Sequence, residues 1–149
     1  MKTINKFSMS FSSKSTNEAF ARASVAAFVL QLDPTIDELI DIKTAVSEAV
    51  TNCIVHAYWD VIGTIYISAE IKSDHSVTVK IRDRGVGIEN IEQAMEPLYT
   101  TGGEERAGLG FAVMQSFMDD IKVKSAVGKG TTVIMRKKIS VRAGRNATV

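Results

Sequence analysis

Two hydrophobic periods alternate along the chain, and their order gives an element plan. Phe7, Met9 and Phe11 are separated by Ser8 and Ser10, a period of two that predicts a half-buried opening strand. Ser15 or Thr16 then offers the cap of a helix running to about Leu32. Asp33-Pro34 ends it, because the residue before a proline is pushed out of the helical region. Phe20, Ala23, Ala27 and Leu30 recur at helical spacing and are expected to form its apolar face. Thr35 opens a second helix with Glu38 three residues on, a capping-box arrangement. Ile36, Leu39, Ile42, Val46, Ala49, Val50, Cys53 and Ile54 hold helical spacing over roughly five turns.

After Gly63 the period of two returns. Ile65, Ile67 and Ala69 alternate with Tyr66, Ser68 and Glu70, Ser73-Asp74 makes a turn, and Val77, Val79 and Ile81 form the hairpin partner. From Asp83 to Gly110 the pattern lapses and glycines gather: Gly85, Gly87, Gly102, Gly103 and Gly108, with Gly110 closing the stretch. A loop this long inside a compact domain usually carries function. A short helix is expected over 111–118, then a closing hairpin of Ile121–Val123 and Thr131–Met135 around Gly128-Lys129-Gly130. Residues from about 138 to 149 read as a basic, flexible tail. The plan is one domain over 1–149 without internal repeats: an α/β (α+β) two-layer sandwich, with helices on one face of a mostly antiparallel sheet.

Composition changes this picture in three ways. An apolar share of 45% with 23% charged residues belongs to a chain that folds around a core. A net charge of +1 gives no global field toward nucleic acid or an anionic membrane, so protein partners are expected and direct DNA binding is not. Cys53 is the single cysteine, which rules out an internal disulfide and fits a reducing cytoplasm. The most apolar helical segment, Ala19 to Leu32, is interrupted by Arg22 and Gln31 and is too short to span a bilayer. No signal-peptide pattern opens the chain, and a soluble, cytoplasmic protein is expected.

Four short motifs carry candidate chemistry. Glu48, Asn52 and His56 lie at i, i+4 and i+8 on the second helix, a polar stripe beside its apolar face. A carboxylate beside an amide is suited to holding Mg²⁺ and orienting a hydroxyl. Asp83-Arg84-Gly85-Val86-Gly87 follows a strand, where a carboxylate can accept from an exocyclic amine and glycines let backbone approach a flat ring. Gly108-Leu109-Gly110-Phe111 is expected at a helix start, where free N–H groups favour phosphate. Gly128-Lys129-Gly130-Thr131-Thr132 turns into the last strand and is neither a P-loop nor part of a Rossmann fingerprint. Taken singly, these read as a solvated helix face, an Asp-Gly turn, a weak Gly-x-Gly and a hairpin turn.

Their joint order and spacing resemble the four boxes of the GHKL (Bergerat-fold) ATPases and kinases. Within that superfamily, Asn17 to Arg22, Gln31 to Thr35, Ser47 to His56 and Phe111 to Asp119 resemble the anti-sigma-factor serine kinases of sporulation, over about Phe7 to Lys137. The resemblance implies a Bergerat ATP-binding fold and an ATP-dependent protein serine kinase. It would bind a sigma-F type sigma factor and phosphorylate a serine of an anti-anti-sigma factor, acting as a homodimer. It implies Glu48 as the general base, Asn52 as the Mg²⁺ ligand and Asp83 as the partner of the adenine amine. Gly85, Gly87, Gly108, Gly110 and Thr131 would shape the nucleotide pocket, with His56, Leu109 and Phe111 beside it. The segment from Tyr99 to Ala107 would be an ATP lid with Thr100, Thr101 and Arg106 on the phosphates, and Arg22 would contact partners. A stress-pathway regulatory kinase with another sigma partner, a non-catalytic nucleotide-switched module and the detached catalytic part of a histidine kinase are the competing readings.

Overall fold

The computed structural model describes residues 2–96 and 105–141, with backbone only for 105–109. In chain order the elements are β1 (Thr3–Ser12), α1 (Asn17–Val29), α2 (Ile36–Asn52), β2 (Thr64–Lys72), β3 (Ser76–Arg82), α3 (Ile91–Ala94), α4 (Glu105–Phe117), β4 (Asp120–Ala126) and β5 (Gly130–Lys138). The five strands form one sheet in the order β1-β2-β3-β5-β4, antiparallel at every pairing. The expected two-layer α/β architecture is present.

The layer interface follows from the period-two strands. Ile65, Ile67, Ala69 and Ile71 of β2 and Val77, Val79 and Ile81 of β3 are buried and pack with Val46, Ala49 and Val50 of α2 in one core. Alternate residues such as Tyr66, Ser68, Lys80 and Arg82 point to the open face, where with Ser8 and Ser10 they line a hollow of about 430 Å³.

Caps and breaks decide where the helices run. Thr35 accepts from the Glu38 amide at 3.1 Å while Glu38 Oε1 accepts from the Thr35 amide at 2.9 Å, so the predicted capping box is made. At the end of α1 a 3-10 turn, Leu30–Leu32, is stopped by Asp33 in the left-handed region (φ 51°) ahead of Pro34. Thr16 occupies the N-cap position of α1 as expected, but its side chain makes no capping bond.

The apolar face assigned to α1 is reversed. Ala21, Val25 and Val29 are buried, whereas Phe20 is 51% and Leu30 58% exposed, with Ala23 and Ala27 on the same outer side. Both sets satisfy helical spacing because α1 is apolar nearly all round, so periodicity alone could not orient it.

Three boundaries also differ. The helix expected from Phe111 starts at Glu105, and a short helix, α3, capped by Asn90 Oδ1 on the Gln93 amide at 3.0 Å, lies inside the expected loop. The tail expected from about 138 begins later. Ile139 is fully buried, and Ser140 donates through its amide to Glu38 Oε2 at 2.9 Å and through its hydroxyl to Oε1 at 3.1 Å. Residues 142–149 of that tail lie outside the described residues.

Candidate functional site

The C-terminal half of α2 is the spine of the site. Glu48 and Asn52 are one turn apart, and α4 meets them at Gly110: a Cβ added there would lie 3.1 Å from Glu48 Oε2 and 3.2 Å from Asn52 Oδ1. Any side chain at position 110 would therefore press on both groups. Both polar atoms of the Asn52 amide are buried, with no hydrogen-bond partner among the described residues. Buried polar groups are normally satisfied, and leaving one unpaired costs on the order of 1–3 kcal/mol, so an orphaned amide marks a place for a ligand.

After Asn52 the helix widens into a π turn, Cys53–Ala57, closed by the Tyr58 amide on the Cys53 carbonyl at 3.0 Å. His56, the third member of the predicted stripe, lies within this turn, and its Nε2 is buried.

The Asp83 loop packs against this turn. Asp83 leaves β3 buried, its Oδ1 accepting from the amides of Gly85 at 2.9 Å and Thr131 at 3.2 Å, while the Cys53 thiol approaches Oδ2 at 3.5 Å. Burial raises the Asp83 pKa, against the lowering pull of the Gly85 amide, the Cys53 thiol and the Thr131 amide. The Cys53 thiol is pushed well above its usual range by burial and by the neighbouring Asp83 charge, so it stays protonated and donates.

Glycine is required here by close approach. A Cβ on Gly85 would sit 2.3 Å from the Ala57 carbonyl oxygen, and one on Gly130 (φ 100°) 2.2 Å from the Asp83 carbonyl oxygen. Gly87 (φ 78°) is held equally close to the backbone of Ala126. The second, third and fourth motifs thus converge on the end of α2 that carries the first.

Other expected site residues fall differently. Gly108 and Gly110 lie inside α4, not at its entry, so the unpaired first-turn amides belong to the preceding residues. Phe111, expected beside the nucleotide pocket, is 2% exposed and packs in the core directly after Gly110. Arg22 is half-buried instead of exposed, 3.6 Å from Glu18 Oε1 and 3.5 Å from Ser47 Oγ. Thr100 and Thr101 of the expected lid, and the side chains of Arg106 and Leu109, lie outside the described residues.

Two residues were missed. Ser125 accepts from the Ile88 amide at 2.8 Å, donates to the Gly130 carbonyl at 3.0 Å and lies 2.7 Å from Thr131 Oγ1, tying the Gly87 and Gly130 turns together. Tyr58 accepts from the Arg84 amide at 2.6 Å and donates to the Thr64 carbonyl at 2.7 Å. Neither stands in a motif, and their roles arise only from tertiary contact.

The donor set fits one mode of Mg²⁺ binding. No cluster of three or more His, Cys, Asp or Glu able to hold a metal exists among the described residues. Asn52 offers one hard amide oxygen, suited to an ion that takes its remaining ligands from phosphates and water.

The histidine kinase-like ATPase domain family matches residues 11–137. An anti-sigma F factor of Clostridium beijerinckii is 60% identical over 139 residues, covering 92% of this chain and 96% of the relative. Another from Caldanaerobacter subterraneus subsp. tengcongensis is 58% identical over 147 residues, covering 98% and 99%. Among solved structures, the RsbU and RsbW domains of a Mycobacterium tuberculosis protein superpose with a TM-score of 0.66 at 17% identity, over 91% of this chain and 32% of that one. A blue-light activated histidine kinase of Erythrobacter litoralis gives 0.56 at 19%, over 78% and 40%, and both structures share the fold. With its four motifs gathered at one end of α2 and relatives this similar over nearly their whole length, the chain belongs to the histidine kinase-like ATPase domain family and, within it, to the family of its anti-sigma F factor relatives.

Proposed function

We propose that this protein is an anti-sigma factor with ATP-dependent protein serine kinase activity. It binds a sigma factor of the sigma-F type and phosphorylates a serine of an anti-anti-sigma factor, as a cytoplasmic homodimer. The similarity to anti-sigma F factors supports the sigma partner. The kinase reading is carried by one observation: the Glu48 carboxylate stands beside an Asn52 amide that has no partner among the described residues, at the point where Gly110 approaches both without a side chain.

In this reading Asp83 Oδ2 accepts from the adenine amine, because Oδ1 is already occupied by two amides. Gly85, Gly87 and Gly130 let the backbone segments around Asp83 pack this closely and so fix where its carboxylate stands. Asn52 holds the Mg²⁺, which when bound neutralises phosphate charge. Glu48 accepts the proton of the attacking serine hydroxyl, and the first-turn amides of α4 face the phosphates.

Purified protein, Mg²⁺, γ-labelled ATP and the anti-anti-sigma protein of the same organism test this. Acid-stable label on that protein is expected. Glu48→Gln keeps ATP affinity and slows transfer by about 10²–10⁴-fold, the usual contribution of a general base. ATP binding without transfer by the native chain would leave a nucleotide-switched binding module. Asn52→Ala is expected to weaken Mg²⁺-dependent nucleotide binding while leaving thermal stability unchanged, since its amide bonds to nothing among the described residues. Equal affinity with and without Mg²⁺ in both proteins would remove the metal role.

A further inference from the structure

The turn Cys53–Tyr58 grips the Asp83 loop at three successive points. The Cys53 thiol meets Asp83 Oδ2, the Tyr58 hydroxyl takes the Arg84 amide at 2.6 Å, and the Ala57 carbonyl takes the Val86 amide at 3.1 Å. Tyr58 is itself fixed from two sides. Its hydroxyl donates to the Thr64 carbonyl at the start of β2, and its ring lies where a Cβ on Gly63 would be 2.3 Å away. Tyr58 as a whole is 8% exposed, so little water reaches its contact with the Arg84 amide.

These contacts join two halves of one site. Asp83 is held by its own loop and by Thr131 of β5, whereas Glu48 and Asn52 ride on α2. The spacing between the carboxylate that reads the base and the pair that handles the phosphates is therefore set where the end of α2 meets the loop. The π turn brings the Tyr58 hydroxyl to that junction.

We propose that Tyr58 is a positioning residue for nucleotide recognition, whose hydroxyl locks the Asp83 loop at the spacing from Asn52 and Glu48 that an adenine nucleotide requires. The inference rests on the nucleotide reading above and adds a determinant of base selectivity that does not touch the ligand. The thiol of Cys53 contributes the weaker, side-chain part of the same grip.

Tyr58→Phe keeps the ring against Gly63 and removes only the hydroxyl. The test measures ADP and inosine diphosphate affinities of the native chain and the variant, by competition with a fluorescent ADP analogue well below both melting temperatures. Inosine lacks the exocyclic amine that Asp83 would accept, so its diphosphate reports the phosphate half alone. The variant is expected to lose about tenfold in ADP affinity, the scale of one buried hydrogen bond, with inosine diphosphate affinity nearly unchanged. ADP affinity within twofold of native, or equal losses for the two nucleotides, would overturn the proposal, because a general loss of order does not discriminate between bases. If the variant does not fold, the Arg84 amide of the native, nucleotide-free protein decides. Slow hydrogen exchange there supports the lock, and exchange at the rate of an open loop overturns it. A native chain that binds neither nucleotide would overturn the nucleotide reading and this inference with it, while Arg84 protection would still report the contact.

Discussion

Burial sets the Asp83 carboxyl against its own ionisation, while the Gly85 and Thr131 amides and the Cys53 thiol hold it charged. Because the folded pKa lies above the unfolded one, this group favours folding below the unfolded pKa, and that contribution is lost as pH rises through the folded value. At neutral pH the charged Asp83 is therefore a cost to the protein, which the proposed bond from an adenine amine would offset. Asp83→Asn is expected to leave the nucleotide-free protein at least as heat-stable as native. It should lower adenine nucleotide affinity by about 10–100-fold, the scale of a hydrogen bond to a charged group. Thermal melts and nucleotide titrations of the same samples check both parts, and a variant less stable yet still binding would reverse the argument. In the native chain, nucleotide affinity should fall on acidification from a pH above that of an ordinary aspartate, because protonation removes the acceptor. Glu48, Asn52 and Asp83 were legible because their residue types sit at spacings that chemistry dictates. Ser125 and Tyr58 were not, since a hydroxyl that bonds backbone from another part of the chain leaves no local pattern.

Among the elements, α2 carries most of the consequence, and its two ends are built differently. At its start Glu38 closes the capping box and also accepts from the Ser140 amide and hydroxyl, joining α2 to the end of β5. Partial burial alone would raise its pKa, but the bonds from Thr35 and Ser140 outweigh it and bring the pKa below the usual value. A lowered folded pKa means that this contribution is present above the unfolded pKa and lost as pH falls through the folded one. Glu38→Ala is expected to cost about 1–2 kcal/mol at neutral pH, measured by urea unfolding, with the difference from native shrinking in acid. A loss that persists unchanged at low pH would assign Glu38 a packing role instead. At its far end the same helix gives up regular winding for a π turn. The cap was readable because Thr-x-x-Glu is a local signal. The π turn was not, because its stabilising contacts are the Asp83 loop and β2, distant in sequence.

For the whole molecule, no helix among the described residues is long and apolar enough to cross a membrane. The proposed homodimer predicts a sedimentation mass of twice the chain's 16.2 kDa at micromolar concentration, and a mass of one chain would remove it. The sequence by itself determined the order of the strands and the main helices, the inward residues of β2 and β3, the capping box and the membership of the four motifs. Each is written in local periods or fixed spacings, which the backbone obeys wherever it packs. Only the tertiary structure decided which side of α1 faces inward, since Phe20, Ala23, Ala27 and Leu30 satisfy the same spacing as the buried Ala21, Val25 and Val29. It also moved Phe111 into the core, started α4 three residues before Gly108 and tied Ser140 to Glu38. These choices depend on which surfaces meet across long stretches of chain: a period says that a residue can be buried, and packing against a partner decides whether it is.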